Sequence, residues 1–111
     1  MSASVFRQVS AATTNLAQVK PYAGNLAGYL ILNTNAAARY VKLYDSTDQP
    51  VVGTTVPKLT IQIPASSEAV LSLAIPANFS HTMWMATTVN AADSDATVVG
   101  AGDLITQLLV E

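Results

Sequence analysis

Histidine occurs once in this chain, at position 81, between Ser80 and Thr82. A lone imidazole could act as a general base, but it needs a nucleophile or a second ligand placed beside it. Cysteine is absent, so a zinc site would rest on carboxylates alone, a poor donor set for that ion. No serine stands in a G-x-S-x-G turn. Asp93-Ser94-Asp95, with Asp103 close in sequence, could offer oxygen to calcium, which takes about six to eight such ligands from a shaped loop. The required Gly and Glu do not stand at the right offsets, and Asx-turn chemistry accounts for the pair without metal. Gly100-Ala101-Gly102 lacks the Lys-Ser/Thr that completes a phosphate loop. Tyr40, Tyr44 and Trp84 could stack on sugar rings or bases, but no basic groove accompanies them, and packing in a core or an interface explains them better. The residues therefore assign no catalytic, metal-binding or cofactor-binding role, and the chain is expected not to be an enzyme.

Composition narrows the partners. Only 11% of the 111 residues are charged, against about 25% in an average domain. Half the chain is apolar, and the polar remainder is mostly Thr, Ser, Asn and Gln. A surface this poor in charge suits a protein packed against neighbours, and a homo-oligomer, dimer or trimer, is expected. The net charge of -2 with five scattered bases argues against nucleic acid, which needs a basic patch. No run approaches the roughly 20 apolar residues of a membrane helix, and the opening residues have no signal-like apolar region. A soluble protein with no membrane partner is expected.

The elements that would position these residues are strands. Residues 1–24 alternate poorly and read as an extended N-terminal arm with one short strand at 15–19. Its first dozen residues are expected to be mobile in isolation and residues 2–20 dispensable for folding, the arm being either an ordinary frayed terminus or a strand donated to a neighbouring subunit. Residues 25–111 form the domain. Residues 25–33 make a strand, with Leu26, Gly28, Leu30 and Leu32 on one face and Tyr29 and Ile31 on the other. Residues 38–44 alternate cleanly: Val41 and Leu43 point inward, and Tyr40, Lys42 and Tyr44 form an outward row. A polar loop follows, Val51-Val52 starts a return, and residues 58–63 place Leu59, Ile61 and Ile63 inward. Residues 68–75 turn Ala69, Leu71, Leu73 and Ile75 inward until Pro76 ends the strand. Strands at 82–90 and 104–110 complete the set. The pattern predicts an all-β, single-domain β-sandwich or small barrel of about six to eight short antiparallel strands. Interface residues are expected at Val5, Phe6 and Arg7 on the arm, and at Tyr40, Lys42, Tyr44 and Trp84 on the strands.

Three segments also carry a likeness. Asn35 to Tyr44 has the sense N-x-A-x-x-Y-x-K-L-Y, Pro50 to Pro64 that of P-x-V-G-T-x-x-P-x-L-T-I-x-I-P, and Ala92 to Ala101 that of A-D-S-D-x-x-x-V-G-A. Together they resemble a group of small β-rich structural proteins of tailed bacteriophages and prophages. The resemblance implies a virion protein made in the host cytoplasm and carried on the capsid surface. It implies a decoration, or cement, role with the major capsid protein as partner. The alternative it leaves is a neck, tail or fibre-associated module contacting host glycan through Tyr40, Tyr44 or Trp84.

Overall fold

The structure, a computed structural model, describes residues 3–111. It is all-β, with eight strands in chain order: β1 (Ser4–Val9), β2 (Ala17–Lys20), β3 (Gly24–Asn33), β4 (Arg39–Asp45), β5 (Leu59–Ile63), β6 (Ser67–Phe79), β7 (Met83–Thr88) and β8 (Leu104–Val110). They form two four-stranded antiparallel sheets, ordered β1-β8-β3-β6 and β2-β7-β4-β5. The outermost pairs of this order are β1 with β8, β3 with β6, β2 with β7 and β4 with β5. Each partnership joins strands equally far from the β4–β5 turn, as if one long antiparallel hairpin had been rolled up. That winding is a jelly roll.

Alternation explains the core. Val41 and Leu43 on β4, Ile61 and Ile63 on β5, and Met83 and Met85 on β7 face Leu104 and Leu108 on β8 across the sandwich, and all are buried. The inward assignments on β4, β5 and β8 follow the period-two pattern.

Three features depart from it. On β3 the register slips at Ala27: Leu26 pairs with Val110, and Gly28 with Leu109. This bulge flips the alternation, so Leu26 shares the inner face with Tyr29 and Ile31, while Gly28, Leu30 and Leu32 face outward. On β6 the slip is larger. Leu26 pairs with Ala77 and Gly28 with Ser72, so Leu73 to Pro76 stand opposite Ala27 alone. The strand therefore continues past Pro76, which sits where no ladder hydrogen bond is required of it. Ile75, expected inward, is 87% exposed in this excursion, and Leu71 is 40% exposed. Finally, Val51 and Val52 belong to a turn rather than a returning strand, closed by Thr54 and Thr55 amides donating to the Val51 carbonyl at 3.0 and 2.8 Å.

The described part of the expected arm, residues 3–24, is built into both sheets. β1 runs antiparallel to β8 over six pairs, from Ser4–Val110 to Val9–Ile105, and Phe6 packs against the core. The chain then crosses to the other sheet, where β2 pairs with β7. Asn15 makes this crossing at φ 55°. Its side chain accepts from the Ala11 amide at 2.8 Å and donates to Thr87 Oγ1 at 2.7 Å. Removal of residues 1–20 strips an edge strand from each sheet and uncovers the core beneath Phe6. The truncated chain is expected to lose its cooperative thermal transition, measured by circular dichroism; a sharp melt near that of the full chain would show that the segment is dispensable.

Candidate functional site

A sandwich has two outer faces, and here they differ. The outer face of the sheet containing β4 is covered by its own chain. Its central residues Lys42, Tyr44, Ala86 and Thr88 have no solvent exposure. The cover is made by the loops after β4 and after β7. Trp84 Nε1 donates to the Ser46 carbonyl at 3.0 Å, tying down the first loop. Lys42 Nζ donates to the carbonyls of Ala92 at 2.7 Å and Asp95 at 3.0 Å, tying down the second. The two loops meet at Gly53, whose φ of 91° favours glycine and where a Cβ would lie 3.2 Å from the Ser94 carbonyl oxygen. Burial lowers the pKa of Lys42 from its ordinary value, and the nearby Asp95 and Asp93 charges oppose that shift. Burial, reinforced by the Asp93 charge, raises that of Tyr44.

The carboxylates brace these loops. Asp103 accepts from the Gly100 amide at 2.8 Å, from Asn35 Nδ2 at 3.2 Å and from Arg39 Nε at 3.2 Å, joining the β3–β4 connection to the segment before β8. Asp95 accepts from Thr97 Oγ1 at 2.7 Å and from the Asn90 amide at 3.1 Å. Asp45 accepts from the amides of His81 at 2.8 Å and Ser80 at 3.0 Å. Burial alone would raise all three pKa values, but these hydrogen bonds outweigh it and hold each carboxyl below the ordinary 3.8. His81 is thus an exposed turn residue beside a structural carboxylate, its Nδ1 3.4 Å from Asp45 Oδ1. Among the described residues no cluster of His, Cys, Asp and Glu could hold a metal ion, and no helix is long and apolar enough to cross a membrane.

The expected interface residues therefore separate into two groups. Lys42 and Tyr44 do not form an outward solvated row; the loops bury them completely. Tyr40 and Trp84 are part-buried beside them. Val5 and Arg7 lie exposed on the other sheet, with Phe6 turned inward between them.

That other sheet is bare. Its outer face is a grid of four strands and three cross-strand rows: Val5–Leu109–Gly28–Ser72, Arg7–Gln107–Leu30–Val70, and Val9–Ile105–Leu32–Glu68. Seven of these twelve positions carry Val, Leu or Ile. The grid is close-fitting at Gly28, where a Cβ would stand 2.5 Å from the Leu71 carbonyl oxygen and 3.3 Å from Leu109 Cδ1. Among the described residues eleven large hydrophobics are exposed; seven lie on strands of this sheet, four lie on loops, and none lies on a strand of the covered sheet. Soluble proteins rarely leave so large an apolar patch exposed. Sequence reading missed Val9, Leu30, Val70, Ile75 and Leu109 as surface residues. The signal that was present is the apolar character of residues 25–33 on both faces, the mark of a central strand or of one covered by a partner.

Two outcomes test the covered face. Lys42→Met leaves the Ala92 and Asp95 carbonyls unpaired, and is expected to cost about 1–3 kcal/mol in denaturant unfolding, with faster amide exchange at Val89, which donates to Thr97 across the same loop. Because the folded pKa values of Asp45, Asp95 and Asp103 lie below 3.8, their contribution is complete above that pH and drains away as pH falls through the folded values. Asp103→Asn is expected to lower stability at pH 7 by about 1–3 kcal/mol and to flatten the acid limb of stability against pH; an unchanged acid limb would contradict this. Compared with known proteins, the chain matches no protein-family model, no curated protein and no solved structure.

Proposed function

We propose that this chain is a non-catalytic structural protein of a tailed-bacteriophage virion, a capsid decoration protein that binds between major capsid subunits. The observation that carries the reading is the gathering of exposed apolar side chains on one sheet of a protein in which only 11% of residues are charged. Such a surface needs a partner, and a capsid lattice supplies many equivalent ones. The jelly-roll winding is one that viral capsid domains use, as do lectins and cupins, so the fold supports the reading without deciding it. The likeness of residues 35–44, 50–64 and 92–101 to phage structural proteins turns the balance toward the virion.

The mechanism is area burial repeated over the shell. Each contact contributes about 25 cal/mol per Å² of apolar surface removed from water, and many linked contacts resist expansion far better than one. The β6 edge is the proposed capsid contact, because it presents an unpaired backbone edge together with the Leu73–Pro76 excursion and its exposed Ile75. A glycan-binding role has less support, since Tyr44 is buried and the Trp84 indole N–H is already bonded to Ser46.

Quantitative mass spectrometry of purified virions is expected to find this chain in simple ratio to the major capsid protein, in hundreds of copies by the multivalency argument. About a dozen copies would move it to the neck or tail, and absence would overturn the reading. Ile75→Asp is expected to leave the melting temperature unchanged, because the side chain is 87% exposed, while weakening capsid binding about tenfold or more, as loss of a buried apolar anchor does.

A further inference from the structure

The bare face carries two charges, and their placement says what covers it. Arg7 sits on β1 at one edge of the sheet, and Glu68 on β6 at the other. Both are exposed, and among the described residues neither takes part in an ion pair. Between them the face is apolar apart from Gln107, which folds over the sheet to donate to the Leu30 carbonyl at 3.3 Å. We infer that this face docks on the same face of a second copy of the chain, as a two-fold dimer whose axis runs along the strands between β8 and β3.

That axis follows from the charges. Rotation about it lays β1 of one copy over β6 of the other, and symmetry repeats the contact at the opposite edge. Arg7 then lies over the partner's β6, one cross-strand row from its Glu68. That offset is two residues, or about 7 Å along a strand, within the span of an arginine side chain. Both charges are neutralised together, and the apolar middle of each sheet is covered. An axis across the strands instead lays β1 over β1 and sets Arg7 against Arg7, a like-charge contact at the seam that disfavours that arrangement. An acidic or basic partner of another kind would neutralise only one of the two edges, whereas a second copy neutralises both.

The size of the face sets the strength. Four strands about 4.8 Å apart and about five residues long give a plan area of about 330 Å² per copy, roughly two-fifths of the ~800 Å² per partner of a standard interface. The dimer therefore forms at high protein concentration, such as a crowded surface provides. The inference draws on the same apolar sheet as the virion reading, but gives its face to a second copy and leaves the β6 edge with Ile75 to the capsid: dimerisation by a chain absent from virions would sink only that reading, and a chain that binds capsids while its face stays unpaired would sink only this one.

Sedimentation velocity across a concentration series tests it. The wild-type chain is expected to show a reversible monomer–dimer equilibrium. Arg7→Glu and Glu68→Arg, each placing two like-charge contacts in every dimer, are expected to weaken it about tenfold or more, and the double variant to recover most of the loss. A wild-type chain that stays monomeric at every concentration, or a double variant no better than the singles, overturns the proposal. A second measurement is independent of those variants. The chain has no cysteine, so Arg7→Cys and Glu68→Cys proteins can be mixed with a short bismaleimide. The expected product is the heterodimer of the two variants. Cross-linking of Arg7→Cys protein to itself would overturn the axis, and no cross-linking in the mixture would overturn the dimer.

Discussion

A lysine with no access to water has to find acceptors inside the protein, and Lys42 finds them in a loop fifty residues downstream. An unpaired ammonium in that position would cost several kcal/mol, so the loop after β7 cannot leave the sheet without solvent following it to Nζ. The rest of the covered face depends on this. With residues 91–97 pinned across β4, the turn at Gly53 has a surface to rest on, Tyr44 is enclosed, and Ser46 can receive the Trp84 indole. One sheet of the sandwich thus becomes the middle layer of three, with strands inside and loops outside. Among the described residues no loop covers the other sheet in this way, and its outer face is left to water or to another molecule.

The sequence made the covered strands legible but not their cover. Alternation on β4 and β5 located Val41, Leu43, Ile61 and Ile63 correctly, because an inner face obeys one rule whatever lies on the other side. Lys42 and Tyr44 fall on the opposite face, where a polar residue reads as solvated. Nothing local to them announces a loop that closes from fifty residues away. The bulge at Ala27 was equally silent. One extra residue reverses the facing of a strand, and Gly28 is the only trace it leaves in the sequence.

β1 was illegible for a more telling reason. Its outward residues are Val5, Arg7 and Val9 and its inward ones Phe6 and Gln8, so apolar and polar residues fall on both faces. A reading that looks for apolar residues inside finds no strand there. The outward Val5 and Val9 belong to the bare face that is the candidate docking surface, so the feature that hid the strand is the feature that bears on function. β6 behaves in the same way: most of its residues are exposed on both faces, and Pro76 reads as an end only when the excursion at residues 73–76 is unknown.

The segments at residues 35–44, 50–64 and 92–101 acquire a physical meaning from the same asymmetry. Asn35, Lys42, Gly53 and Asp95 all belong to them, and each holds a loop over the covered sheet or braces one against it. All twelve positions of the bare grid lie outside those segments, on β1, β3, β6 and β8. The residue pattern of 35–44, 50–64 and 92–101 therefore describes how the sandwich is assembled and capped. It says little of what docks on the opposite face, because the residues there are under no obligation to the cap. Two chains could share the whole pattern and still differ at Arg7, Leu30, Glu68 or Val70, and so in whether and how they pair, while folding alike.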